Sequence, residues 1–156
     1  MGKLLLIQRD FLPALGEFEK SLEKHPYHPE YLIERVKAYL GLERFQDALK
    51  DIQTLEHLQP FSEKIHTYAA QAYLGLGKDQ NALGELSQAI ELNKNSLEAR
   101  RMRAHLWNKL GRRREAIRDL LSAVRHNDLL KALSSRKDRL KMRPPLNYKE
   151  ELEKTL

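Results

Sequence analysis

Ala14, Ala48, Ala82 and Ala116 recur at a constant interval of 34 residues. A period of that length marks a stacked repeat architecture and governs how every other residue is read. The same phrase surrounds each alanine: Phe11-Leu12-Pro13-Ala14-Leu15, Phe45-Gln46-Asp47-Ala48-Leu49, Asp79-Gln80-Asn81-Ala82-Leu83 and Arg113-Arg114-Glu115-Ala116-Ile117. A large apolar residue follows four positions later, at Phe18, Ile52, Leu86 and Leu120. In three units an aromatic lies nine positions before the alanine, at Tyr39, Tyr73 and Trp107, with Val36, Ala70 or Ala104 three residues earlier. Pro26 and Pro60 close the first two units.

Within each unit the apolar residues follow the helical period. Ala48, Leu49, Ile52 and Leu55, for example, form one face of a helix. The alanines are expected where the two helices of a hairpin approach closely, so Ala82 should be buried. The aromatics should fill the wedge between neighbouring hairpins. Gly41, Gly75, Gly77 and Gly111 are expected in the short turns, where glycine adopts left-handed backbone most easily. Pro60 should stop the second helix of its unit. One hairpin cannot bury such a face alone, whereas a stack of them can.

These positions resemble the tetratricopeptide repeat family, which pairs a helix carrying a small residue and an aromatic with a helix carrying alanine and a large apolar residue, then proline. The strict period separates the chain from the slightly longer repeats of RNA-reading pentatricopeptide arrays. The resemblance implies an all-α, right-handed solenoid of antiparallel helix pairs. It divides the chain into a truncated first repeat (1–28), three complete repeats (29–62, 63–96 and 97–130), a capping helix (131–143) and a short C-terminal segment (144–156). Aligned on Ala14, the first unit retains only the end of its opening helix, Gly2 to Ile7. The chain is therefore expected to begin inside a repeat, as a segment or an alternative-start product of a longer protein. Leu129, Leu130, Leu133, Leu140 and Met142 would face the last hairpin from the cap.

Some slots depart from the pattern. His66 and Arg100 stand where Leu32 fits the apolar expectation. Arg35 and Arg103 occupy two further apolar slots, read as arginines with buried stems and wet heads. Lys94 and Asp128 replace the closing proline.

Formal net charge is +6, unevenly spread. Residues 97–143 hold 15 Lys/Arg against 5 Asp/Glu, residues 1–96 hold 11 against 14, and residues 144–156 hold 2 against 3. The basic third is either a site for an acidic peptide, nucleic acid or anionic lipid, or a solvated helical face. Arg112-Arg113-Arg114 is expected in a turn, with the same two readings. The chain has no cysteine, and Leu4-Leu5-Leu6-Ile7 is too short for a membrane span or signal core. The expectation is a cytoplasmic protein, with the nucleus as alternative. No phosphate loop, nucleophile elbow or metalloprotease helix motif is present, so no catalysis and no cofactor is expected. His25 and His28 flank Pro26, His57 and His66 fall on different helices, and no carboxylate cluster is expected to complete a metal site.

In the family, the first helices line a concave groove that holds extended or helical peptides. In the helical register the inward residues are Glu30, Ile33, Lys37 and Leu40, then Lys64, Thr67, Gln71 and Leu74, then Glu98, Arg101, His105 and Asn108 with Lys109 beside them, and Ser135 and Arg139 on the cap. Arg101, His105 and Lys109 form one ridge. The carboxylate clamp that some members use on chaperone tails is not recovered: Ile33, Lys37, Tyr68, Glu98 and Met102 stand at its positions. The expected function is a protein-interaction scaffold for an acidic or amphipathic segment. The alternative is a nucleic-acid-associated repeat protein using the basic third. No small-molecule substrate and no membrane are expected.

Overall fold

A computed structural model describes the backbone of residues 2–125 and the side chains of residues 11–125. Among the described residues seven helices follow one another: α1 (Gly2–Lys24), α2 (Pro29–Gly41), α3 (Phe45–Leu58), α4 (Glu63–Gly75), α5 (Asp79–Leu92), α6 (Leu97–Lys109) and α7 (113–125). There is no strand among the described residues. Neighbours in sequence pack on one another, α2 on α3 and α4 on α5 most extensively, and the first helices α2 and α4 also touch. The chain is thus the expected α-solenoid of helix hairpins.

The repeat alanines explain the close hairpins. Ala48 and Ala82 are fully buried and Ala116 nearly so. Around them lie two apolar clusters. One includes Leu32, Val36, Ile52, Leu55 and Ile65; the other includes Ala82, Leu86, Ala99 and Leu106. Tyr73 packs against both, as expected of an aromatic wedged between hairpins. Each hairpin turn repeats one bond: the backbone N–H of Arg44, Lys78 and Arg112 donates to the carbonyl of Tyr39, Tyr73 and Trp107 at 2.8, 2.9 and 2.8 Å. Arg44 and Arg112 then lay their guanidinium groups 4.8 and 4.4 Å from the Tyr39 and Trp107 ring centres.

Three expectations need correction. The left-handed turn residue is not any of the four glycines alike but the register Glu43, Gly77 and Gly111, with φ of 58°, 69° and 76°. Gly41 and Gly75 are helical. They are glycine for another reason: a Cβ there would collide with the ring of Phe11 or Phe45 from the preceding unit. Second, residues 2–24 are one continuous helix containing Pro13, not the stub of one helix followed by another. Third, the arginines in apolar slots are ion-paired, as described next. At Lys94, in place of a closing proline, the carbonyl accepts from Arg100 Nε and Nη2 at 3.1 and 2.8 Å, and Ser96 caps α6 by accepting from the Ala99 N–H. The cap over 131–143, the segment 144–156 and Asp128 lie outside the described residues.

Candidate functional site

One register position on the second helix of each complete hairpin carries a carboxylate: Asp51, Glu85 and Asp119. Arg35 Nε and Nη2 donate to the two Asp51 oxygens, both at 2.7 Å, and Arg103 does the same to Asp119. Arg100 adds a contact to Asp119 at 3.5 Å. The bond to Asp51 holds the Arg35 guanidinium above its ordinary pKa range. Arg35 and Arg103 are therefore internal staples between the two helices of a hairpin, not snorkelling groups. The middle hairpin has Ala69 in the arginine slot, and Glu85 pairs instead with His66, Oε2 to Nδ1 at 2.8 Å.

The expected groove residues divide. Lys37, Lys64, Arg101, His105, Asn108 and Lys109 are exposed, and Ile33, Leu40, Gln71 and Leu74 are half-buried. Ile33, Leu40 and Leu74 lean on the core with one side. Thr67 is buried, its hydroxyl donating to the Glu63 carbonyl one turn back, so it offers no surface to a ligand. Lys37 donates to Glu34 at 2.6 Å. Lys109 does not belong to a free cationic ridge: its Nζ lies 2.8 Å from Asp79 Oδ2, tying α6 to α5. Arg139 lies outside the described residues.

Arg101, His105 and Asn108 do come together, and with partners that the sequence reading passed over. They share a concavity of about 500 Å³ with Arg113, Ala116, Ile117 and Leu120 of α7. Arg113 was expected in a turn away from the groove, but it stands in the first turn of α7 and lines the same concavity. Only Arg112 of the arginine run is in the turn, bonded to Glu115 at 2.7 and 2.9 Å. Ile117 and Leu120 are half exposed, whereas Ile52 and Leu86, in the register of Leu120, are buried. Tyr68 is the other missed residue. It lies on α4 within electrostatic reach of Lys37 and Glu34 on α2 and Glu98 on α6, and burial pushes its phenol up. Its signal was simply that an aromatic stands where its neighbours in the register, Glu34 and Met102, are not aromatic.

The expectation that no carboxylates gather around a histidine is overturned. Glu56 of α3, His66 of α4 and Glu85 of α5 bring one ligand atom each to within 4.8 Å of one another. Burial, then the nearby Glu85 charge, push the Glu56 carboxyl above the usual glutamate range.

Among solved structures the chain is similar to MamA, a tetratricopeptide-repeat protein. One crystal structure of MamA aligns with a TM-score of 0.69 and 22% identity over 75% of this chain and 68% of that one. MamA 41-end from Desulfovibrio magneticus RS-1 gives 0.72 and 14% over 76% and 67%, and an RS-1 MamA double mutant gives 0.74 and 14% over 79% and 69%. At such identities the likeness establishes the fold, which is tetratricopeptide-type. No family model and no curated protein matches the sequence.

Proposed function

We propose that this tetratricopeptide-type solenoid is a protein-interaction scaffold whose groove holds an acidic or amphipathic segment of another protein. The observation that carries the reading is the company kept by Arg101 and His105. Two exposed basic groups border a concavity whose other wall holds Ala116, Ile117 and Leu120. A ligand for that surface needs carboxylates on one side and apolar side chains on the other, as an amphipathic acidic helix provides. In the repeat register, Tyr68 and Leu74 on α4 and Ile33 and Lys37 on α2 are the residues that would extend this surface. The fold favours binding over chemistry, because stacked repeats present an extended concave surface of the kind that recognises other chains.

The nucleic-acid reading is weakened by the pairing of four cations among the described residues of the basic third. Arg100 and Arg103 face Asp119, Lys109 faces Asp79, and Arg112 faces Glu115. A polyanion needs a continuous field of available cations. The cytoplasm, with the nucleus as alternative, remains our reading of location. It draws support from the absence of cysteine, and among the described residues no helix is long and apolar enough to cross a membrane.

The test is a fluorescence-anisotropy titration of the full chain against a labelled Glu/Leu amphipathic peptide, repeated with excess mixed-sequence RNA. The reading predicts saturable peptide binding that RNA does not displace. Displacement by RNA, with steep weakening of RNA binding as salt rises, transfers the function to the alternative.

A further inference from the structure

Three departures from the repeat pattern, one on α3 and two on α4, meet at one point beside Glu85 of α5. Glu56 occupies a slot that is apolar and buried in the neighbouring units, Leu22 and Ile90. His66 occupies the slot of Leu32, and Ala69 the slot of Arg35 and Arg103. In the flanking hairpins the register carboxylate is neutralised by a bidentate guanidinium. In the middle hairpin Ala69 and Glu85, together with Glu56 of the hairpin before, instead border a cavity of about 360 Å³. The result is two half-buried carboxylates and one imidazole converging within 4.8 Å at the junction of two hairpins. Lys50 also borders this cavity, but its Nζ bonds to Asp47 at 3.2 Å; Tyr73 borders it too, and His57 lies within electrostatic reach of Glu56. Departures of this kind cost a core free energy, and they concentrate where a sequence serves something besides packing.

We propose that Glu56, His66 and Glu85 bind a divalent transition-metal ion of the zinc type, which latches the second hairpin to the third. Two carboxylate oxygens and one neutral imidazole nitrogen make a borderline-hard donor set suited to Zn²⁺, with water in the fourth position at bond lengths of about 2.0–2.2 Å. The ion supplies the positive charge that arginine supplies in the other two hairpins. It also cross-links α3 to α4 and α5, a connection between repeats of the kind that Arg103 makes to Ser87 of α5 at 3.1 Å. Mg²⁺ is a poor substitute, because it prefers an octahedral shell of oxygens and parts with its water reluctantly.

The experiment uses the full chain freed of metal by chelator dialysis, with Zn²⁺ or Mg²⁺ added, followed by calorimetric titration and thermal melting. The site predicts one Zn²⁺ per chain, a rise in Tm with Zn²⁺ and none with Mg²⁺. Glu56→Gln and His66→Leu should each weaken Zn²⁺ by about tenfold or more, since even outer-shell changes cost that much. Ala69→Arg should abolish zinc uptake while keeping the helical circular-dichroism spectrum, because it restores the guanidinium of the flanking hairpins. Absence of saturable Zn²⁺ uptake by the wild type overturns the proposal. So does uptake unchanged in the three variants, which would place the ion elsewhere, such as the His25 and His28 turn.

Discussion

Lys109 Nζ lies 2.8 Å from Asp79 Oδ2, in the same register as the packing of Gly75 on the Phe45 ring and of Gly41 on the Phe11 ring. One joint between hairpins is thus built in two ways, by a glycine under an aromatic twice and by an ion pair once. The first way tolerates no side chain. Gly75→Ala gains roughly 1 kcal/mol of helix propensity but drives a methyl into the ring, an overpacking that costs about 1–3 kcal/mol. Net destabilisation in a denaturant melt is expected, shrinking in a Phe45→Leu background. Lys109→Ala, at a half-exposed pair, should cost no more than about 1 kcal/mol.

Asp51 is nearly buried, and Arg35 meets both of its oxygens. Arg35→Leu leaves that carboxylate without its partner. The expected loss is about 2–3 kcal/mol, below the roughly 3–5 kcal/mol of a fully buried pair because the arginine is partly wet. Arg35→Leu combined with Asp51→Leu should recover most of it. A double mutant as unstable as the single would show that the pair contributes attraction of its own rather than relief of an orphaned charge.

Glu43 holds the left-handed turn conformation that Gly77 and Gly111 hold in the next two units. The strain for an L residue is roughly 1–2 kcal/mol, against an entropic cost of roughly 0.5–1 kcal/mol for glycine. Glu43→Gly should therefore raise the melting temperature, and an unchanged or lower value would argue against this turn geometry.

How much of this was legible beforehand follows from which interactions are periodic. Ala48, Ala82 and Ala116 betrayed the hairpins because the demand for a small residue recurs at a fixed interval. The partner of Arg35 was hidden: Asp51 lies 16 residues away, and the two meet only once the hairpin has closed. Gly41 and Gly75 were visible as glycines, but their reason, an aromatic ring from the previous unit, is tertiary. Lys109 read as a groove cation because helical register gives direction without revealing that Asp79 is waiting. Glu56 drew no notice, since a single polar residue in an apolar slot means little until His66 and Glu85 are placed beside it.

Glu56 also gives a pH signature. Its folded pKa lies above the ordinary value of 4.5, first through burial and then through Glu85. Ionisation therefore opposes folding at neutral pH, and the penalty fades as pH falls through the raised value toward 4.5. In metal-free protein, Glu56→Gln should raise Tm at pH 7 and make little difference near pH 4. A stabilisation independent of pH would remove the electrostatic explanation.

On the proposed function, the groove and not diffuse positive charge recognises the partner. Arg101 and His105 border the concavity beside Ile117 and Leu120, whereas Arg114 and Arg118 are exposed on α7 and do not border it. The deciding measurement compares the affinity of the acidic amphipathic peptide for Arg101→Glu/His105→Glu and for Arg114→Glu/Arg118→Glu. Sheltered charge-assisted contacts contribute about 1.5–3 kcal/mol each, and screened rim charges roughly 0–1 kcal/mol. At about 1.4 kcal/mol per decade, the groove variant should bind tenfold or more weakly than the α7 variant. Equal losses in the two variants, or no loss in the groove variant, would contradict the account.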